Sequence, residues 1–200
     1  MRPVHGAGRT EGSTASMRRV LEQPISPEEV SNAMRKGGRN KAPGTDGIDL
    51  EFYKVNWETI RDDISDTMKQ MFMERNVTTQ QNHGVIVCLP KSNRPITPAD
   101  YRPITLLNTD YKLLARVIAH HLPPMMAELL QTSQFCGVPG NTIFEAVAKV
   151  RVAIAQAEMT RTPLCFLSLD FQEAFDRISR KYLFKILRSY GFSNWFVERI

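Results

Sequence analysis

The sequence predicts a mixed fold of helices and short strands, of the α/β (α+β) class, on three observations. Apolar residues recur at helical spacing in several stretches, a strand, turn and strand pattern lies near residues 84–105, and a near-continuous apolar run, Leu164–Leu169, follows Pro163. Two hundred residues at 42% hydrophobic and 24% charged suffice for one medium domain with a real core, or for a large piece of a bigger one.

From Met1 to about Pro24 the chain is Gly, Ser, Thr and Arg with few large apolar residues, too little to offset the entropy of ordering, so residues 1–24 read as a flexible leader. Arg2, Arg9, Arg18 and Arg19 give it a superficial likeness to a transit peptide. Order is expected to begin at Ser26-Pro27-Glu28-Glu29, where Ser26 caps a helix, Pro27 suits its first turn and Glu29 completes a capping box; Gly37 and Gly38 stop it. Asp49 is placed to cap a second, longer helix with Trp57, Ile60, Ile64 and Met71 on a buried stripe.

Gly84–Leu89 reads as a strand, Pro95 and Pro98 turn the chain, and Arg102–Thr105 returns, giving a hairpin. Leu114, Val117, Ile118 and His121 share one face of a third helix ended by Pro123 and Pro124, and Thr142-x-x-Glu145 opens a fourth carrying Val147, Val150 and Ile154. The run Leu164–Leu169 has the pattern of a strand buried on both faces that delivers Asp170 at its end. A helix with Leu183, Ile186, Leu187 and Tyr190 on one face follows, stopped by Gly191, and Trp195-Phe196-Val197 begins another amphipathic pattern.

Twenty-six Lys and Arg against twenty-one Asp and Glu leave a charge of +5, which favours polyanionic partners. Cys88, Cys136 and Cys165 are odd in number and widely spaced, so they read as reduced, buried thiols of an intracellular protein, cytoplasmic or nuclear. No apolar run approaches the roughly 20 residues that cross a bilayer, and no membrane partner is expected. His120 and His121 are adjacent, point in different directions on a helix, and read as ordinary helix residues.

Asp170 is the sharpest candidate for chemistry, because a carboxylate at the end of a buried strand is well placed to hold a divalent cation at the rim of a sheet. On its own, such an acid is more often a turn former or a cap. The segment Leu167-Ser168-Leu169-Asp170-Phe171-Gln172-Glu173-Ala174-Phe175-Asp176-Arg177-Ile178 resembles motif A of reverse transcriptases, in the D-x-x-x-A-F-D form of non-LTR retrotransposon and group II intron enzymes. Upstream, Lys41-Ala42-Pro43-Gly44-Thr45-Asp46-Gly47-Ile48 resembles that family's K-x-P-G-x-D-G block, and Tyr101-Arg102-Pro103-Ile104-Thr105-Leu106-Leu107 its Y-R-P-I-s-L-L block, preceded by Leu89-Pro90-Lys91. The four blocks stand in the family's order, and the similarity covers roughly Pro24 to Ile200.

The resemblance implies a partial right-hand polymerase fold, with residues 25–160 as the fingers region and 161–200 as the start of the palm. It implies synthesis of DNA on an RNA template from a DNA primer and dNTPs, with carboxylates holding two Mg²⁺ (or Mn²⁺) ions that activate the primer hydroxyl and offset charge on the phosphate. Asp170 is the metal ligand so implied, with the backbone carbonyl of Phe171 beside it; Phe175 matches the aromatic position that excludes a ribose 2′-hydroxyl. Glu173 and Asp176 are weaker candidates and are not assigned as ligands. Lys91 and Arg102 bracket the hairpin, where two cations close over a nucleotide triphosphate.

Lys41 and Gly44 are template-binding candidates, although Pro-Gly and Asp-Gly pairs equally suit a purely structural turn. Gln134 lies in a loop, Gln134–Asn141, that departs from the family's Q-x-G-F-x-P-G-R pattern, with Asn141 where an Arg is usual. The family's second catalytic motif, with two adjacent acids in a turn, is absent before Ile200, and Asp62-Asp63 falls within an expected helix. The chain alone is therefore expected to be inactive, lacking the downstream palm and thumb, and to expose palm surface. An alternative is a noncatalytic nucleic-acid-binding or interaction module derived from a polymerase. An unrelated Mg²⁺-dependent phosphohydrolase would account for Asp170 but not for Lys91, Arg102 or Phe175.

Overall fold

A computed structural model describes residues 18–38, 40–130, 133–138, 140–171, 175 and 177–200. They form two units. One is Glu22–His121 with Arg199; the other is Leu122–Glu198 with Ile200 and residues 18–21. The break at 121/122 does not coincide with the fingers and palm division expected at 160/161. The leader expected through residue 24 is shorter where described, since residues 18–21 are helical and Leu21 is buried; residues 1–17 lie outside the described residues.

In the first unit, helix α1 spans Pro27–Arg35. The Ser26 hydroxyl accepts the Glu29 N–H at 3.3 Å and the Glu29 carboxylate accepts the Ser26 N–H at 2.8 Å, so two orphan donors of the helix start are satisfied reciprocally. The helix stops at Gly37, which has a second role: a Cβ there would lie 2.3 Å from Leu50 Cδ2 and 2.6 Å from Arg116 Nη1.

The second expected helix is two helices, α2 (Leu50–Val55) and α3 (Trp57–Met73). Asp49 caps α2 by accepting the Phe52 N–H at 2.9 Å. Asn56 separates them: its side-chain amide donates to the Phe52 carbonyl at 2.9 Å, closing α2, while its own carbonyl accepts the Ile60 N–H at 3.1 Å, opening α3. The buried stripe of α3 accordingly moves toward its C-terminal half, Met68, Met71 and Phe72, leaving Trp57, Ile60 and Ile64 half-buried.

Helix α4, Thr109–His121, buries Leu113, Leu114 and Val117. It packs on α1 and α3, and α1 also packs on α2 and α3, so Val30, Met34, Met68, Phe72 and Leu113 share one helical core. His121 is a core residue of this cluster: its Nε2 lies 2.6 Å from Glu29 Oε1, tying the end of α4 to the start of α1.

Strands β1 (Gly84–Pro90) and β2 (Tyr101–Leu107) form the expected hairpin, antiparallel, pairing Gly84 with Leu107 through Pro90 with Tyr101. Every residue of β1 is exposed, on both faces. Cys88 is therefore exposed, and so are Cys136 and Cys165, which corrects the expectation of buried thiols: one sits on an uncovered ribbon and the others in loops.

The loop before α2 is fastened to the start of α4. Gly47 donates to the Gly44 carbonyl at 3.3 Å and has φ +72, and the Asp46 carboxylate accepts the Ile48 N–H at 3.0 Å. Gly44 faces Asn108 so closely that a Cβ would lie 2.1 Å from Asn108 Oδ1 and 2.5 Å from its backbone nitrogen. Thr45 Oγ1 donates to Asn108 Oδ1 at 3.2 Å, Thr109 Oγ1 to the Ile48 carbonyl at 2.6 Å, and Lys112 Nζ to the Ala42 carbonyl at 2.8 Å. The same helix start holds the segment before β1, through Asn108 Nδ2 to the Gln80 carbonyl at 3.2 Å and Gln81 Nε2 to Asp110 Oδ2 at 2.7 Å.

In the second unit, Pro123 and Pro124 open a short helix α5 (Pro123–Leu129), consistent with the tolerance of a first turn for Pro. Helix α6 (Ile143–Thr160) starts where Thr142 Oγ1 accepts the Glu145 N–H, and buries none of its residues; Val147, Val150 and Ile154 are exposed. Helix α7 (Arg180–Ser189) ends before Gly191 at φ +88, and α8 (Asn194–Val197) buries Phe196 and Val197. Phe192 stacks on Phe196 with ring centroids 5.7 Å apart.

Residues 162–171 form no strand, which corrects the expected buried β-strand. Phe166, Leu167 and Leu169 are 71%, 75% and 75% exposed. A strand exists only as part of a ladder, and among the described residues the one sheet is the β1–β2 hairpin, in the other unit. No helix among the described residues is long and apolar enough to cross a membrane.

Two outcomes follow for stability. Burial pushes the Glu29 carboxyl up, but the Ser26 N–H, the His121 ring and the Ser26 hydroxyl outweigh it and hold the carboxyl below its ordinary value. A depressed carboxylate contributes stability above its unfolded value that is lost as pH falls through the folded one. Glu29→Gln is expected to cost about 1 kcal/mol at neutral pH, the scale of a lost cap, with the gap between the two melting temperatures closing toward pH 3. A gap constant from pH 7 to pH 3 contradicts this assignment. Gly44→Ala is expected to cost about 1–3 kcal/mol or more in urea denaturation, because the methyl meets backbone that cannot swing aside. A change within about 0.5 kcal/mol, the range of ordinary surface substitutions, refutes the close approach to Asn108.

Candidate nucleotide and template site

The β ladder sets Leu89 opposite Arg102, and Lys91 stands directly after the end of β1, at the entry to the turn. The turn fixes Lys91: its N–H donates to the Asp100 carbonyl and its ammonium to the Ala99 carbonyl, both at 2.7 Å. Asp100 in turn accepts the Thr97 and Ile96 N–H groups at 2.8 and 3.0 Å. Those two N–H bonds and the Thr97 hydroxyl hold its carboxyl below the ordinary range, and the Lys91 charge adds to them. The Arg102 side chain is exposed and makes no hydrogen bond or ion pair among the described residues, which leaves its fork of donors open to a ligand.

Lys41 is exposed, at the mouth of the loop that Gly44 presses onto Asn108. For Gly44 the structure supplies the turn-forming role outright, since its missing Cβ is what lets the loop reach α4. Burial, with the Asp110 and Asp46 carboxylates nearby, pushes the Tyr53 hydroxyl up to about 12. Asn108, Lys112 and Arg116 were not singled out in the sequence. A signal for two of them was present, because Lys112 and Arg116 stand four apart on an amphipathic helix and so share a face.

In the second unit, Gln134 is turned into its own loop. Its side-chain nitrogen donates to the Cys136 carbonyl at 2.9 Å, and its backbone carbonyl accepts Asn141 Nδ2 at 2.6 Å. Asn141, standing where the resemblance expects Arg, thus closes the loop, while the Lys149 ammonium lies 4.6 Å from the Phe135 ring centroid. Asp170 and Phe171 are exposed at the end of the unpaired segment, and Phe175 is 94% exposed. Glu173 and Asp176 lie outside the described residues.

The structure therefore brings Lys91 and Arg102 together on one ribbon, and Lys41 and Gly44 into one loop of the same unit. Gln134, Asp170, Phe171 and Phe175 belong to the other unit. Among the described residues no group of three or more His, Cys, Asp or Glu side chains converges as a metal-ligand set. Asp170 and the Phe171 carbonyl are hard oxygen donors of the kind Mg²⁺ takes, but two donors are fewer than the about six of an octahedral shell.

Residues 89–200 match the family described as Reverse transcriptase (RNA-dependent DNA polymerase). The chain is 37% identical over 177 residues to the "Transposon TX1 uncharacterized 149 kDa protein" of Xenopus laevis, covering 88% of this chain and 14% of that protein. It is 28% identical over 167 residues to the "Retrovirus-related Pol polyprotein from type-1 retrotransposable element R1" of Bradysia coprophila, covering 80% of this chain and 16% of the polyprotein. It is also 28% identical over 159 residues to the "Probable RNA-directed DNA polymerase from transposon BS" of Drosophila melanogaster, covering 78% and 18%. The chain thus spans less than a fifth of the length of these three relatives. With the hairpin between its Leu-Pro-Lys and Tyr-Arg-Pro-Ile blocks in place, the chain belongs to the reverse transcriptase family of non-LTR retrotransposons.

Proposed function

We propose that this chain carries the fingers, residues 25–160, and the opening of the palm, residues 161–200, of a right-hand polymerase that copies RNA into DNA. The observation that carries the proposal furthest is the hairpin: the exposed Arg102 side chain stands on β2, with Lys91 anchored directly after the end of β1. Such a pair suits the triphosphate of an incoming dNTP, Arg gripping two oxygens in parallel and Lys supplying a point charge.

Asp170, with the Phe171 carbonyl, would hold Mg²⁺ or Mn²⁺, the rest of the shell coming from water, substrate phosphates and acids outside this chain. When bound, the metal pair lowers the barrier to attack of the primer 3′-hydroxyl on the α-phosphate. Phe175 would lie against the nucleotide sugar, where a ring leaves no room for a ribose 2′-hydroxyl. Lys41, Gly44 and Gln134 would face the template. The exposed apolar run Leu164–Leu169 supports a palm whose partner strands lie elsewhere in the longer protein. The chain alone would then be inactive, in an intracellular compartment with access to RNA.

Extension of a DNA primer on an RNA template, with dNTPs and Mg²⁺, tests this reading: first with the 200-residue chain alone, then mixed with a separately made downstream palm and thumb. Extension only in the mixture, lost in Asp170→Asn, is the expected result. Arg102→Ala should raise the dNTP KM by about tenfold or more, the scale of a lost charge-assisted bidentate contact. An assembled mixture that binds RNA–DNA hybrid yet never extends the primer leaves the noncatalytic binding module as the function.

A further inference from the structure

We propose that a cavity of about 310 Å³ between the Lys41–Ala42 loop and α4 binds one phosphate of a nucleic-acid strand through Lys41, Lys112 and Arg116. The proposal rests on the reading that the chain engages nucleic acid, but not on its catalysing polymerisation. The floor is apolar, Leu50, Leu106 and Leu113, and no carboxylate lines the walls.

Three features favour an anion here. First, Lys112 and Arg116 are half-buried, four residues apart on α4, a spacing at which like charges repel. Neither forms an ion pair among the described residues. Burial lowers the Lys112 ammonium below its ordinary value; the Asp46 carboxylate opposes this, and the Arg116 charge adds to it. Two half-buried cations without an ion-pair partner among the described residues are costly, and an anion between them offsets that cost.

Secondly, both are already aimed. Lys112 Nζ donates to the Ala42 carbonyl at 2.8 Å and Arg116 Nη1 to the Ala33 carbonyl at 3.0 Å, which leaves two ammonium donors and most of the guanidinium fork for a ligand. Preorganised donors lose little freedom on binding. Thirdly, the absence of a side chain at Gly37 leaves the guanidinium where it stands, since a Cβ there would lie 2.6 Å from Arg116 Nη1 and oblige it to shift. The apolar floor beside the cations suits a sugar or base edge attached to the phosphate, so a strand fits better than a free ion.

The test is binding of the 200-residue chain to a fluorescein-labelled single-stranded oligouridylate across a salt series, with uridine monophosphate and inorganic phosphate as competitors. The pair Lys112→Gln with Arg116→Gln should weaken binding by about tenfold or more. The slope of log affinity against log salt should become shallower by about 0.7, one phosphate contact on a single strand. Ala42→Glu keeps both carbonyl anchors and brings a carboxylate to the cavity; it should give the same loss with an unchanged melting temperature. Lys69→Gln, an exposed cation on α3 outside the cavity, should change affinity by less than twofold. Unaltered binding in Ala42→Glu overturns the proposal, as does absence of strand binding by the wild type. Uridine monophosphate or inorganic phosphate binding as tightly as the strand also overturns it. None of these results bears on loss of primer extension in Asp170→Asn, so the two readings fail separately.

Discussion

Much of the first unit depends on one close approach, that of Gly44 to Asn108 at the start of α4. Only a residue without a Cβ permits it, and once it is made the rest of the loop has few choices. Thr45 bonds Asn108, Thr109 bonds the Ile48 carbonyl, and Lys112 bonds the Ala42 carbonyl, so three residues at one helix start hold four positions of the loop, Gly44 included. The segment leading into β1 joins at the same place through Gln80 and Gln81. Loop, hairpin base and helix are thereby a single mechanical part, and the cations on them are positioned by it.

That arrangement explains a division of labour among the basic residues. Lys91, Lys112 and Arg116 each donate to a backbone carbonyl, which fixes where their charge sits while leaving further donors unused. Arg102 is free of such an anchor among the described residues and sits inside the ladder, where the strand itself sets its direction. Fixed charge favours affinity through preorganisation, whereas an unanchored guanidinium adapts to its ligand. A net charge of +5 is thus concentrated in part on one loop, one hairpin and one helix face.

The fold was legible wherever the signal was local. Ser26, Asp49 and Thr142 marked helix starts and Gly191 a left-handed stop because caps and such stops involve only neighbouring residues, and the hairpin followed from two β-prone runs around a Pro-rich turn. Asn56 broke a helix that periodicity alone joined, since its own side chain and carbonyl terminate one segment and begin the next. The apolar run Leu164–Leu169 has a buried strand's composition but no ladder partner among the described residues, and composition cannot supply one. Cys88 was misread for a related reason: its strand pairs on only one edge, with both faces open. At the candidate site, the motif residues stood out by type and spacing, but Asn108, Lys112 and Arg116 did not, because their partners lie 28 to 83 positions away in the chain.

Native-state hydrogen exchange at the Gly47 and Ile48 amides tests the central dependence most directly. If the loop and α4 are one part, these amides open with the same free energy as the Lys112 amide of α4, and Asn108→Ala accelerates Gly47 and Ile48 while the second half of α4 keeps its protection. Fast exchange of Gly47 and Ile48 in the unaltered chain, with α4 protected, would show a loop that merely lies against the helix and would contradict the account.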